Sequence, residues 1–318
     1  MGNSSSAEKQ TKDIVSQVLP GGTLPEWANP DDIKDLPALK AKMRAVGLES
    51  SSLIMAIDFT SSNKDTGRDS FGGMSLHQLD STRDNPYQQV MAIMGKMLAD
   101  FDDDGQIPLL GFGDVRSRHH SVTRLGPPSG CSGVDGILSQ YRRTLTDPDF
   151  GLSGPTSFAP VINEAVKIVE QSGGQYHILV IVGDGQISNS LGCLADTKKA
   201  IVSASKHPLS IVFVGVGDGP WDQQEEFDDE LPERDFDNFQ FVNFGSFQQA
   251  LAKTKAGSRE IIEAAFAVCA LQEVPAQYRA IKHLGLLENK PTSRGSKRER
   301  EEGTSTSALT SASRARLE

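Results

Sequence analysis

Short apolar segments alternate along the chain with longer amphipathic segments, and this alternation constrains the fold more than any other feature. Residues 53–57, 178–182 and 209–216 are apolar, of strand length, and rich in Val, Ile and Leu. After Asn85-Pro86, apolar residues instead recur every three or four positions, as in a helix that Asn85 caps. The alternation predicts an α/β fold with a doubly wound, mostly parallel central sheet flanked by helices.

The two ends of the chain differ in composition from its middle. Residues 1–35 are polar with weak periodicity, and residues 288–318 are basic and rich in Ser and Thr. Both segments are predicted to be disordered because they offer little apolar surface to bury. A single domain is predicted over residues 36–287.

Charge and cysteine content restrict the partners and the compartment. The formal net charge is −10, which disfavours binding of nucleic acid by the chain as a whole. Cys131, Cys193 and Cys269 are too few and too widely spaced for a disulfide framework or a paired zinc site. We therefore expect a reducing, cytoplasmic environment.

Three short pieces of sequence predict a metal site. Asp58 directly follows one apolar strand, with Thr60 and Ser62 just after it; Asp184 closes another strand, and Thr156 lies in a Gly-Pro-Thr turn. Because the carboxyl ends of parallel strands meet at one edge of a sheet, we expect these side chains to converge there. Two carboxylates and three hydroxyls form an all-oxygen ligand set that suits Mg²⁺, or alternatively Mn²⁺ or Ca²⁺.

The same ligand set indicates binding rather than catalysis. Two negative charges leave a divalent cation attractive to one more carboxylate, which a protein partner can supply. Each piece alone has a simpler interpretation, since aspartate at a strand end often caps a helix or forms a turn. No catalytic residue is predicted: the chain has no Gly-x-Ser-x-Gly elbow and no phosphate-binding loop, and the alternative of a metal-dependent hydrolase lacks a placed general base.

The first residues match an acylation signal. Met1-Gly2 is followed by a serine at position 6, which predicts myristoylation of Gly2; the alternative is an ordinary polar tail. A single acyl chain gives only marginal membrane binding. We therefore expect a cytoplasmic protein that associates reversibly with the plasma membrane surface. A short basic run at residues 297–300 leaves a nuclear location open.

Two further segments are candidates for partner contacts. Trp221, Asp222 and Phe227 lie in an acidic stretch that predicts a second docking surface, although such a stretch is often only a solvated face. The long polar loop over residues 63–85 follows the metal motif, and it either shapes partner specificity or is simply mobile.

Several motifs together resemble the copine-type von Willebrand factor A domain, and they are most similar to the branch of plant ubiquitin ligases that join this domain to a RING. The motifs are Ile57-Asp58-Phe59-Thr60, Gly111-Phe112-Gly113-Asp114, Gly154-Pro155-Thr156-Ser157-Phe158 and Gly217-Asp218-Gly219-Pro220-Trp221. The resemblance implies a sheet wrapped by helices and a metal-ion-dependent adhesion site made of Asp58, Thr60, Ser62, Thr156 and Asp184. It also implies protein partners, membrane association through an acylated N-terminus, and ubiquitin transfer.

The sequence departs from that family pattern at both ends. The paired C2 domains of copines do not fit into the roughly fifty residues before the first strand, and no cysteine follows residue 271 to build a RING. We therefore expect no intrinsic ligase activity. An accessory role remains open, in which the chain recruits a ubiquitin-conjugating or ligase component.

Overall fold

The strands assemble into one mixed sheet in which parallel pairing dominates. The computed structural model describes residues 35–229, 231, 234–245, 247 and 259–287. In that part of the chain the sheet has six strands in the order β4-β3-β1-β6-β7-β8, and only the β3–β4 pair is antiparallel. A separate antiparallel ribbon pairs β2 with β5. The strands are β1 Ser52–Asp58, β2 Gln106–Ile107, β3 Leu109–Phe112, β4 Thr123–Leu125, β5 Cys131–Ser132, β6 His177–Gly183, β7 Leu209–Gly215 and β8 Phe239–Asn243.

Helices connect these strands. They are α1 Leu36–Ala45, α2 Pro86–Leu98, α3 Gly133–Leu145, α4 Ala159–Gln171, α5 Cys193–Ala204, α6 Asp222–Asp229, α7 Arg259–Leu271 and α8 Val274–His283. Short 3-10 turns follow β1 and α2. Among the described residues no helix has the length and apolar character needed to cross a membrane.

The central strands are buried on both faces. Every residue of β6 and of β7 is buried. Along β1, Met55 and Ile57 belong to one apolar cluster, whereas Ile54 and Ala56 belong to a second cluster on the other face. Burial on both faces is what helices packed on each side of a parallel sheet produce. The predicted doubly wound α/β fold is therefore confirmed.

The start of α2 confirms its predicted cap. The Asn85 side chain accepts a hydrogen bond from the backbone N–H of Gln88 at 2.9 Å, and the Gln88 side chain accepts one from the backbone N–H of Asn85 at 3.1 Å. Pro86 occupies the first turn, where no N–H is needed. Such a capping box stabilises a helix by about 1 kcal/mol.

Some elements differ from the sequence prediction. The apolar residues between 107 and 112 predict one continuous strand, but β2 and β3 are separated at Pro108, which has no N–H to donate to a neighbouring strand. The sequence also predicts a helix over residues 197–207, whereas α5 begins earlier, at Cys193. Helix α6 was not predicted from the sequence. Its segment is rich in Asp and Glu, and two buried positions give too weak an apolar pattern to indicate a helix.

The predicted terminal segments lie almost entirely outside the described residues. This applies to Gly2, to the basic run at 297–300 and to the whole of residues 288–318. Of residues 1–35, only Asp35 is described, and its side chain caps α1 by accepting a hydrogen bond from the Ala38 N–H at 2.8 Å. The domain limits at 36 and 287 stay a prediction.

Candidate metal centre

The two predicted metal-binding aspartates lie side by side because their strands are neighbours. Strands β1 and β6 pair in parallel with Ile57 opposite Val182. Asp58 is the last residue of β1, and Asp184 directly follows β6. The parallel register therefore brings both carboxylates to the carboxyl edge of the sheet, as the sequence predicted.

Hydrogen bonds link four of the five predicted residues. The backbone N–H of Thr60 donates to Asp58 Oδ1 at 2.7 Å. The hydroxyls of Thr60 and Ser62 are 2.9 Å apart, and the Ser62 hydroxyl donates to Asp184 Oδ1 at 3.1 Å. These contacts connect the two carboxylates: the Thr60 backbone N–H binds Asp58, the Thr60 and Ser62 hydroxyls are in contact, and the Ser62 hydroxyl binds Asp184.

Thr156 lies on the adjoining segment. Ser153 pairs with Thr60 in an isolated parallel bridge, in which the Ser61 N–H donates to the Ser153 carbonyl at 2.6 Å. The Thr156 carbonyl accepts a hydrogen bond from the Ser188 N–H at 3.1 Å, which ties this segment to the loop after β6. The Thr156 hydroxyl makes no hydrogen bond with the other four residues in the described structure.

The carboxylate pair is electrostatically costly as it stands. Asp58 is 0% exposed, and its Oδ2 atom is buried without a hydrogen-bond partner. Burial, followed by the negative charge of Asp184, raises the pKa of Asp58 well above its usual range. Burial also raises the pKa of Asp184, although hydrogen bonds from Thr66 and Ser62 oppose that rise. A positive charge between the two carboxylates would relieve both penalties.

The donors at this edge fit a hard divalent cation. Carboxylate and hydroxyl oxygens are the ligands that Mg²⁺, Mn²⁺ and Ca²⁺ prefer. Within the described ranges, no group of three or more His, Cys, Asp or Glu side chains gathers as metal ligands. The site therefore depends on two carboxylates and neutral hydroxyls. Among these oxygens, Asp58 Oδ2 is buried without a hydrogen-bond partner, so it is the atom with the clearest need for a cation.

Glycines let the backbone pass close to the two motifs. A Cβ atom on Gly183 would lie 3.3 Å from Asp58 Oδ2 and 3.0 Å from the Phe213 ring. Gly113 has a φ of +77°, and a Cβ there would lie 2.3 Å from the Thr60 side chain. Any larger residue at either position would displace the predicted ligands.

Thr66 is a further residue at the site that was not predicted from the sequence. Its hydroxyl donates to Asp184 Oδ2 at 2.6 Å, so the second oxygen of Asp184 is also held. The loop that carries Thr66 is fixed to the turn after β7, where the Asp218 carboxylate accepts the N–H groups of Asp69 and Ser70 at 3.0 and 2.8 Å. The spacing of Thr66 from Ser62 is the only sequence signal that could have suggested it.

His77 is a second residue at the site that was not predicted from the sequence, and it contacts the backbone of Asp58. The His77 Nε2 atom is 2.8 Å from the Asp58 carbonyl, and Nδ1 is 2.7 Å from the Tyr141 hydroxyl. Burial lowers the pKa of His77 to about 3, so the ring is neutral. Because a carbonyl can only accept, the proton is on Nε2 and the tyrosine hydroxyl donates to Nδ1.

An aromatic stack holds His77 in this position. Its ring centroid lies 4.2 Å from that of Tyr87 and 5.0 Å from that of Phe59. The Tyr87 hydroxyl donates to Asn63 Oδ1 at 2.6 Å, and the Asn63 amide donates to the Thr60 carbonyl at 3.1 Å. The backbone carbonyls of Asp58 and Thr60 are thereby held by buried, satisfied polar groups.

The predicted second docking surface requires a correction. Phe227 is 0% exposed and packs edge-on against Phe239, so the prediction is wrong for this residue. It falls on the inner face of the unpredicted helix α6. Trp221 is partly buried against Phe241, and exposed Asp222 accepts a hydrogen bond from the Gln186 side chain at 2.9 Å. For these two residues a partner contact stays a prediction.

Two exposed apolar side chains lie on loops at the same edge of the sheet as the carboxylates. In the described part of the chain, Val115, Leu191 and Leu284 are the large apolar residues that are exposed, at 45%, 69% and 44%. Val115 and Leu191 lie on loops after β3 and β6, at the same edge as Asp58. Leu191 also adopts a φ of +56°, a strained conformation for a leucine.

Comparison with known proteins yields a family and several close relatives. The family described as Copine matches residues 75–290. The E3 ubiquitin-protein ligase RGLG2 of Arabidopsis thaliana is 49% identical over 266 residues, covering 81% of this chain and 55% of the relative. Copine family protein 1 of Caenorhabditis elegans is 46% identical, covering 85% of this chain and 23% of the relative. The chain thus spans little more than half of the first relative's length.

Solved structures with similar folds are more distant in sequence. A von Willebrand factor type A protein from Catenulispora acidiphila is 11% identical, with a TM-score of 0.40 over 70% of this chain and 43% of its own. A manganese-loaded TRAP protein of Plasmodium vivax is 13% identical, with a TM-score of 0.39 over 64% of this chain and 72% of its own.

Proposed function

The chain belongs to the copine family, and from this premise we propose that its carboxylate edge binds a divalent cation and, through it, a carboxylate of a partner protein. The observation that carries the proposal is the unpartnered Oδ2 of Asp58, buried beside Asp184. Leaving a buried charge unpaired costs several kcal/mol, which a bound cation would offset.

The residues of the edge divide the task among them. Asp58 and Asp184 would supply the negative charge, whereas the hydroxyls of Thr60, Ser62 and Thr156 would supply neutral oxygens. When bound, Mg²⁺, Mn²⁺ or Ca²⁺ supplies an electrophilic charge that attracts an outside carboxylate. The His77 stack fixes the backbone of the first motif, so the oxygens are held in place before a ligand arrives.

The surface around the carboxylates favours a protein as the partner. Val115 and Leu191 expose apolar area on loops at the same edge of the sheet, and exposed apolar residues of this kind are typical of protein interfaces. Changing Leu191 to serine should weaken partner binding, whereas the same change at Leu284, outside this edge, should leave it intact.

A pull-down with the purified chain tests the proposal. We expect partners that are captured in Mg²⁺, and lost both in chelator and with Asp58→Asn. The matched control is Asp135→Asn, which removes an exposed carboxylate from the first turn of α3. Capture that survives chelator and Asp58→Asn would contradict a metal-bridged interaction.

A role in ubiquitin ligation is the second candidate. It is favoured by relatives that are named as E3 ubiquitin-protein ligases and are 49% and 47% identical to this chain over the aligned residues, which cover 55% and 68% of those relatives. We propose that the chain acts as an accessory or substrate-binding component that recruits a ubiquitin-conjugating or ligase component. Reactions with purified activating and conjugating enzymes should give no ubiquitin chains with this protein alone. Chains formed without an added ligase would contradict the accessory role.

Membrane association remains a further part of the proposal. The Met1-Gly2 start supports myristoylation of Gly2 and a cytoplasmic protein that reaches the plasma membrane reversibly. Intact-mass spectrometry of protein isolated from cells should show one myristoyl group. A free Gly2 amine would contradict it.

A further inference from the structure

A surface pocket that differs in chemistry from the carboxylate site is lined by several positively charged residues. Arg116, Arg124 and Arg143 line a cavity of about 390 Å³, together with Asp147 as the one acidic residue. Leu125 and Phe150 contribute apolar surface. We call this the arginine pocket. Arg116 is ion-paired with Asp147 and Arg124 with Glu164, which leaves Arg143 as the cation without an anionic partner among the described residues.

The arginines come from three different elements. Arg124 lies on β4, Arg143 lies in the last turn of α3, and Arg116 lies in the turn after β3. The backbone of that turn is fixed by Asp114, whose Oδ1 accepts the Arg116 N–H at 2.8 Å. The pocket is thus built from the packed fold rather than from one mobile segment.

Most guanidinium donors of the pocket remain available. Arg116 uses one nitrogen, Nη2, for Asp147 at 3.2 Å and for the Asp149 carbonyl at 3.4 Å. Arg124 uses Nε and Nη2 for Glu164. The exposed Arg143 side chain makes no hydrogen bond or ion pair with any residue that the structure describes. Each guanidinium has five N–H donors, so most donors of the three side chains have no partner among the described residues.

The charge and donor pattern select the ligand. A carboxylate has two oxygens and one charge, which a single guanidinium satisfies. A phosphoryl group carries a charge of about −1.5 to −2 and three strong acceptor oxygens, which suits several guanidiniums at once. Clusters of arginine are the usual means by which proteins recognise phosphorylated segments.

The position of the pocket selects the source of the phosphoryl group. Strand β4 is an edge strand that pairs only with β3, and Thr123, Arg124 and Leu125 of this strand all line the pocket. An extended protein segment can align with such an edge. A membrane surface has no strand that could align with this edge, so a protein segment is favoured as the source of the phosphoryl group. We propose that the arginine pocket binds a phosphorylated residue of an extended protein segment.

Fluorescence anisotropy with the full chain tests this proposal. The probe is a labelled degenerate peptide pool with one central phosphoserine, and the reference is the same pool with serine. We expect the phosphorylated pool to bind about tenfold more tightly or better, and to weaken with added salt. Binding should persist in chelator and with Asp58→Asn, so a failure of the metal proposal would not affect it.

Two neighbouring arginines supply matched variants. Arg143→Gln should reduce binding of the phosphorylated pool by about tenfold. Arg142→Gln removes a charge one residue away, where the side chain pairs with Asp84 at 3.3 Å, and should change binding less than twofold. Both positions are exposed, so thermal unfolding should show both variants folded.

Several outcomes would overturn the proposal. Equal binding of the two pools would exclude recognition of the phosphoryl group. Equal losses with Arg142→Gln and Arg143→Gln would mean that only general charge matters. Binding of inorganic phosphate, or of vesicles containing phosphatidylinositol bisphosphate, without binding of the peptide pool would show that the occupant is not a protein segment.

Discussion

Asp58 and Asp114 occupy similar places but differ in how their oxygens are used. Both are 0% exposed, and both lie at the carboxyl ends of neighbouring parallel strands, β1 and β3. The Oδ1 atom of Asp114 accepts the N–H groups of Arg116 and Ser117 at 2.8 and 3.2 Å. Its Oδ2 accepts the hydroxyls of Ser117 and Thr123. Asp58 Oδ2 has no partner.

The difference separates a structural aspartate from the aspartate that we propose binds a cation. Four hydrogen bonds satisfy Asp114, so it can hold the turn after β3 without any further group. Asp58 lies beside a second carboxylate and leaves one buried oxygen without a hydrogen-bond partner, an arrangement that a bound cation would stabilise. Location at a strand end is common to both, and only the hydrogen-bond inventory distinguishes them.

The largest expected effect compares the same substitution at both aspartates. In chelator, Asp114→Asn should lower the free energy of unfolding by about 1–3 kcal/mol, because an amide NH₂ would replace an oxygen that accepts two hydroxyls. Asp58→Asn should leave stability unchanged or raise it, because it removes a buried charge next to Asp184. Urea unfolding of both variants in chelator measures this. Equal destabilisation by the two substitutions would break the comparison.

A second test extends the comparison to the support beneath Asp58. His77→Phe keeps the aromatic stack but removes the partner of the Asp58 carbonyl and of the Tyr141 hydroxyl. We expect stability to fall by about 1–2 kcal/mol, and Mg²⁺ affinity to fall with it, because the first motif loses its fixed backbone. His120→Phe, at an exposed histidine, is the control for both measurements. Unchanged Mg²⁺ affinity in a destabilised His77→Phe would limit His77 to a role in folding.

A third test uses a partly buried acid that carries no proposed function. Burial, with the charges of Asp228 and Asp237, raises the pKa of Glu273 to about 9. The folded protein therefore holds a proton that the unfolded chain releases near pH 4.5, so this group's contribution to stability falls as pH rises between these values. Glu273→Gln should abolish that fall, and its stabilising effect at pH 8, of the order of 1 kcal/mol, should vanish near pH 5.

The control for the pH dependence is Glu260→Gln at an exposed position of α7. Thermal unfolding from pH 5 to pH 8 should give parallel curves for this variant and the wild type. If the stability of Glu273→Gln has the same pH dependence as that of the wild type, partial burial alone does not raise the pKa of an acid. The proposal for Asp58 would then depend only on its unpartnered oxygen.

The sequence could predict the sheet and the candidate ligands at the ends of its strands. Asp58 and Asp184 follow apolar runs, and parallel pairing then brings them to one edge whatever the details of the loops. Thr60 and Ser62 follow within four residues, so local geometry keeps them close. The placement of these residues therefore depends mainly on short-range patterns.

The remaining parts of the site depend on tertiary packing. His77 reaches the Asp58 carbonyl from a long polar loop whose path no local pattern reveals. Phe227 is buried because the acidic segment that contains it forms a helix packed against β8. The acidic composition of that segment gave no indication of a packed helix. The sequence does not show that both oxygens of Asp114 accept hydrogen bonds while one oxygen of Asp58 has no partner, because both residues come at the end of a strand.

Calorimetric titration of the purified chain with Mg²⁺ tests the central claim most directly. We predict one binding event in the wild type, none in Asp58→Asn, and a matching rise in stability of about 2.7 kcal/mol when Mg²⁺ is one hundred times its Kd. Folded wild-type protein that binds no divalent cation, or an Asp58→Asn variant that binds as tightly as the wild type, would contradict the account.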